Sequence, residues 1–121
     1  MIELKNAADA EATIDRAFQQ TQTYKKQIPS LFRTNGLIAI SDGMEAQYGS
    51  LTGDKDRFMP GRTTDGQTID KKGIPELETL IRGLFSKRNL PELIRGFTVF
   101  EDDGVSIIKK IAGYHQFFAV Q

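Results

Sequence analysis

The chain has no cysteine, no apolar run of membrane-spanning length, and an acid at position 3 where a secretory leader would be basic and then apolar. These absences favour a cytoplasmic setting and exclude a membrane partner. A lone histidine, His115, excludes a nuclease site built on a histidine base or histidine metal ligands within this chain, and leaves it a structural role. Excess charge of one sign is missing too: 16 basic residues balance 16 acidic ones, so any contact with nucleic acid has to come from a local patch. Internal repeats and low-complexity tracts are absent. What remains is a core-forming composition. With 121 residues, a 39% hydrophobic share and eight phenylalanines, the chain suits one folded domain and not a disordered segment.

Asp9 is placed to cap a helix from about Ala10 to Ile28, which Pro29 stops. Ile14, Ala17, Phe18, Thr21 and Ile28 form its apolar stripe, with Gln20 and Tyr24 one turn apart on a border of that stripe. The run from Leu37 to Ser41 reads as a strand covered on both faces. Asp42-Gly43 is a tight-turn signal, and the alternation of Met44, Ala46 and Tyr48 with Glu45 and Gln47 makes the return strand of an antiparallel hairpin. From Thr52 to Gly73 the pattern dissolves into one long loop of functional or mobile character. Pro75 opens a second helix whose buried face is Leu77, Leu80, Ile81, Leu84 and Phe85. Asn89 caps a shorter helix through Arg95, and Phe97 to Phe100 form a strand closed by the turn Asp102-Asp103-Gly104. The order strand, helix, hairpin, helices, strand belongs to an α/β layer with helices packed on a mixed β-sheet. The closing apolar stretch, ending in Phe117-Phe118, has no cap or breaker and looks cut.

The opening strand carries the chemistry. In Ile2-Glu3-Leu4-Lys5 the acid and the amine alternate, so both side chains leave the same face of an extended backbone. Glu3 offers a hard oxygen of the kind Mg²⁺ prefers, and Lys5 a positive charge beside it. This is half of a metal-dependent phosphodiesterase site, because a divalent ion normally takes a second carboxylate. Alone, the pair is more readily a surface ion pair.

The ordered blocks Ile2-Glu3-Leu4-Lys5-Asn6, Gln20-x-x-x-Tyr24-Lys25, Ile28-Pro29-Ser30-Leu31-Phe32, Ser41-Asp42-Gly43, Gly49-Ser50-Leu51-Thr52, Arg57-Phe58-Met59-Pro60 and Tyr114-His115-Gln116-Phe117 resemble the N-terminal part of the restriction (R) subunit of type I restriction-modification enzymes. The resemblance spans nearly the whole chain. It implies a truncated PD-(D/E)XK restriction-endonuclease-like fold, with residues 1-113 a partial nuclease domain and 114-121 the start of the connection to the first helicase-like motor domain. It implies that Glu3 and the Leu4 carbonyl help to hold Mg²⁺. Lys5 would orient the attacking water or stabilise the scissile phosphate, and Gln20 and Tyr24 would bind phosphate or orient Lys5. Gln116 would contact adenine once the motor domain is attached.

Two departures from the family accompany these roles. Its metal-binding aspartate lies on the strand before Glu-x-Lys, a segment absent here, so the chain is expected to be a fragment with an internal Met at its start, or a short reading frame. At Gly61 the family often carries tryptophan, which predicts a lost aromatic contact. The Walker loop is also missing, so ATP belongs to the full-length subunit only. The implied partners are duplex DNA and the methyltransferase and specificity subunits, and the isolated fragment is expected to be inactive. The alternatives are a non-catalytic remnant that binds DNA or partner subunits, and an unrelated small α/β interaction domain. Lys25-Lys26 read as a solvated face, Arg57 and Arg62 as exposed loop residues, and the sheet edge next to the missing segment makes self-association of the fragment plausible.

Overall fold

The computed structural model describes residues 1–6, 8, 9, 11, 13–70 and 75–120. The expected helix start at Ala10 and the end of the expected loop at Gly73 fall outside the described residues. The first helix, α1, runs Ile14–Gln27 and is capped by Thr13, whose hydroxyl accepts from Arg16 N at 3.1 Å. Asp9 is not the cap. Its carboxylate takes the N–H of Glu11, two residues on, in a local turn that competes with helix initiation. The helix stops where expected: Ile28 N closes on Tyr24 O, and Pro29 starts a short 3₁₀ turn, Pro29–Phe32. Ala17, Phe18 and Thr21 are buried, whereas Ile28 lies past the last turn and is exposed, which removes it from the stripe.

The strands β1 (Ile2–Leu4), β2 (Ile38–Ser41), β3 (Ala46–Gly49) and β4 (Met59–Pro60) make one sheet in that order. β1 and β2 are parallel, with α1 in the crossover between them, and β2, β3 and β4 are antiparallel neighbours. All of β2 is buried, as a strand covered on both faces must be. Ile38 and Ile40 face Ala17 and Phe18 of α1, while Ala39 faces Ala46 and Tyr48 in the second core. The β2–β3 turn is held by Asp42, whose Oδ1 accepts from Met44 N and Glu45 N, with Gly43 at φ 102°. The long loop is more ordered than its composition suggests. It contains a 3₁₀ turn at Lys55–Arg57 and the edge strand β4, where Pro60 is tolerated because an edge residue can do without its N–H.

The opposite face carries α2 (Glu76–Arg82), α3 (Asn89–Gly96) and α4 (Tyr114–Val120). Glu76 joins α2 to the hairpin, its carboxylate accepting from Ala46 N and its own N–H bonding Met44 O. Leu80 and Leu84 are fully buried, but Ile81, expected in the core, is exposed on the flank of α2. Gly61 lets α2 approach closely: a Cβ there would lie 2.7 Å from Leu80 Cδ1, so the space a tryptophan would need is filled by α2. Asn89 is the first residue of α3 and not its cap; Ser86 Oγ accepts the Asn89 N–H instead. In α4, Phe117 is buried against Phe97, with ring centroids 4.9 Å apart, and His115 is exposed with its ring edge-on to Tyr114.

The expected final strand does not join this sheet. β5 (Thr98–Asp102) pairs with an unanticipated β6 (Ile107–Ile111) as a separate antiparallel ribbon. Register puts Val99, Glu101, Ile108 and Lys110 on one face and Phe100, Asp102, Ile107 and Lys109 on the other. Each face mixes apolar and charged residues, so neither can be buried whole. The fold is thus a mixed α/β one, with helices on both faces of a mixed four-stranded sheet.

Candidate functional site

β1 is an edge strand, paired on one side by β2. Its register sets Glu3 beside Ile40, and Ile40 faces α1, so Glu3 and Lys5 leave the sheet on the α1 side. Their side chains meet, Lys5 Nζ lying 3.4 Å from Glu3 Oε1, and both are sheltered, at 16% exposed for Glu3 and 26% for Lys5. Ile2 and Leu4 point to the other face.

The two borders of α1 look in different directions. On one, Phe18 packs edge-on against Phe58 at 5.1 Å, and Lys25 donates to Leu51 O at 2.7 Å. Lys25 is therefore not part of a solvated face with Lys26; burial lowers its pKa, partly offset by Asp54. At about 100° per residue, Gln20 and Tyr24 fall on the opposite border, towards β1. Both are half-buried, and Tyr24 packs on the cluster of Phe18, Ile38 and Ile40 that Met1 also covers. The four residues thus share one side of the sheet. Within the quartet, Glu3 and Lys5 form the ion pair, and among the described residues Gln20 and Tyr24 make no hydrogen bond to it.

The donor set is short. Among the described residues no three histidines, cysteines or carboxylates gather to hold a metal ion. The acid that follows β2, Asp42, is occupied by the N–H groups of its own turn. Glu3 and the Leu4 carbonyl are oxygen donors of the class Mg²⁺ takes, but do not complete a cage.

Gln47, also not anticipated, is a polar group on the same face of the sheet but two strands away from Glu3, beyond Ile40 on their shared rung. Its Oε1 accepts from Lys55 Nζ at 3.0 Å, and Lys55 reaches Asp15 at the start of α1, 3.6 Å away. The alternation of β3 marked Gln47 as facing away from Ala46 and Tyr48, but nothing in the loop composition marked Lys55. Arg57 and Arg62 are exposed, as expected. Arg57 lines a cleft of about 730 Å³ between the residue 50–59 segment and the β5–β6 ribbon. Gln116 also lines that cleft, and its Oε1 accepts from Gly113 N at 2.9 Å.

Residues 1–57 match the family model described as Type I restriction enzyme R protein N terminus (HSDR_N). The chain is 41% identical over 123 residues to the Type I restriction enzyme HindI endonuclease subunit of Haemophilus influenzae, a match covering 99% of this chain and 12% of that protein. It is 35% identical over 125 residues to the Putative type I restriction enzyme MjaIXP endonuclease subunit of Methanocaldococcus jannaschii, covering 90% of this chain and 12% of that protein. The chain therefore spans about an eighth of the length of these curated relatives.

Proposed function

The chain belongs to the family of type I restriction enzyme R proteins, and on that premise we propose that it forms part of the DNA-cleaving region of such a subunit, with Glu3 and Lys5 at its centre. The observation that carries this reading is the sheltered Glu3–Lys5 pair on an edge strand, with Gln20 and Tyr24 on the same side of the sheet. In a complete site Glu3 and the Leu4 carbonyl would be donors to Mg²⁺, which supplies neutralisation of charge developing on a phosphate. A second carboxylate must come from outside these residues, on a strand against the open flank of β1. The Lys5 ammonium, a compact and strongly hydrated charge, holds a water or a phosphate oxygen. The Gln20 amide and the Tyr24 hydroxyl reach the same space from α1, positioning Lys5 or the phosphate. Such a site would be of the PD-(D/E)XK nuclease class.

In the longer subunit, cleavage of duplex DNA would be coupled to ATP-driven translocation in the cytoplasm, with methyltransferase and specificity subunits as partners and sequence choice made by the latter. The 121-residue chain alone is expected to be inactive. A non-catalytic role in DNA or subunit binding is favoured by one observation, the lack of a carboxylate cluster among the described residues.

The deciding experiment uses a chain extended through the flanking coding sequence. Glu3→Ala and Lys5→Ala should each lower ATP-dependent DNA cleavage by on the order of a hundredfold or more, with ATP hydrolysis at the parental level. Parental cutting by both variants would end the nuclease reading. Mg²⁺-dependent nicking of plasmid by the 121-residue protein, abolished by Lys5→Ala, would overturn its expected inactivity.

A further inference from the structure

Lys25 stands on the buried face of α1, about two turns beyond Phe18 and one beyond Thr21, both of them buried. An ammonium in such a stripe needs a partner, because burying a charge without one is costly. It donates to Leu51 O at 2.7 Å, with Asp54 near enough to favour its charged form. That carbonyl is itself held in place. Gly53 N closes the turn on Ser50 O at 3.2 Å, the Leu51 side chain packs on the Phe18 cluster, and Thr52 Oγ1 accepts from Lys109 N at 2.7 Å. The same segment holds the start of α1, where Lys55 lies 3.6 Å from Asp15.

The contacts of Ala17 and Phe18 hold α1 on the sheet but are non-directional, so alone they leave the helix free to roll. A hydrogen bond has a direction and fixes that roll. Tyr24 directly precedes Lys25, and Gln20 stands one turn before Tyr24, on the border of α1 towards β1. Side chains reach about 6 Å from a helix axis, so a roll of about 10° moves their ends by about 1 Å. We propose that Lys25 is a positioning residue for the Glu3–Lys5 site: by anchoring α1 to the Leu51 carbonyl it sets the roll of the helix, and with it where Gln20 and Tyr24 stand relative to that pair. This inference rests on the nuclease reading and adds to it a residue that touches neither metal nor DNA.

The test uses the chain extended through the flanking coding sequence. Lys25→Met keeps an unbranched apolar stem and removes the donor. It should lower the turnover of ATP-dependent DNA cleavage by about tenfold or more, since misplacement by about 1 Å costs up to about a hundredfold. DNA affinity and ATP hydrolysis should stay at the parental level, and Lys25→Arg, which restores a donor, should recover most of the loss. Tyr48→Phe, which loses a hydrogen bond on the other face of the sheet, should cut at the parental rate and so separates positioning from stability. Lys5→Ala, run beside them, reports on the nuclease reading itself. If Lys25→Met fails to fold by circular dichroism, Lys25→Gln replaces it, polar but one bond shorter, and the same loss is expected. Parental turnover in the Lys25 variant while Lys5→Ala is inactive would overturn this inference and leave the nuclease reading standing. An equal loss in Tyr48→Phe, a Lys25→Arg chain as slow as Lys25→Met, or a loss of DNA affinity in place of turnover would do the same. Parental cutting by Lys5→Ala would remove both.

Discussion

Tyr48 is fully buried on the α2 side of the sheet, and its hydroxyl donates to Ala112 O at 2.7 Å, joining β3 to the segment that leads into α4. Burial, and after it the proximity of Tyr114, pushes this phenol well above its ordinary range. The folded state therefore holds its proton more tightly than the unfolded state does. That contribution is fully present below the ordinary phenol pKa of about 10 and is lost as pH rises beyond it. In urea melts the parent should lose stability above that pH more steeply than Tyr48→Phe. At neutral pH the variant should be less stable by about 1 kcal/mol, for the lost hydrogen bond. Gly49 is as closely fitted: a Cβ there would lie 2.5 Å from the Phe58 ring. Gly49→Ala should cost about 1–3 kcal/mol in the same assay, since Phe58 must leave its place against Phe18.

Among the elements, α1 offers a direct comparison of two possible caps. Thr13→Ala should destabilise the protein by about 1 kcal/mol, and Asp9→Ala by less than about half that, measured by thermal melts. Both residue types cap helices well, so sequence alone did not separate them; the Thr13–Arg16 bond does. β2 and β3 were legible because an apolar run and a clean alternation each have one strand interpretation. β4 was not, since two residues have no period. β6 was hidden by Lys109 and Lys110, whose charges break its apolar pattern until the pairing with β5 gives each a place. Ile81 was misplaced because helical spacing marks an apolar stripe without saying how wide the covering surface is.

For the whole molecule, the site was legible in part. Spacing put Glu3 with Lys5 and Gln20 with Tyr24, but whether the two pairs share a side depends on the register between β1 and β2, which are 33 residues or more apart in the chain. Long-range register cannot be read from local periodicity. Gln47 escaped for the same reason, being brought to the rung of Glu3 by two successive strand pairings. The β5–β6 ribbon shows how lightly part of the molecule is attached. Away from its base, where Ala112 N bonds Phe97 O, Thr52 Oγ1 accepts from Lys109 N at 2.7 Å and donates to Lys109 O at 3.3 Å. Among the described residues, the Thr52 side chain thus adds a hydrogen-bonded tether to the arm beyond its root. Thr52→Val should let amides of residues 98–111 exchange deuterium faster while those of β2 keep their protection, so the arm would open long before the body unfolds.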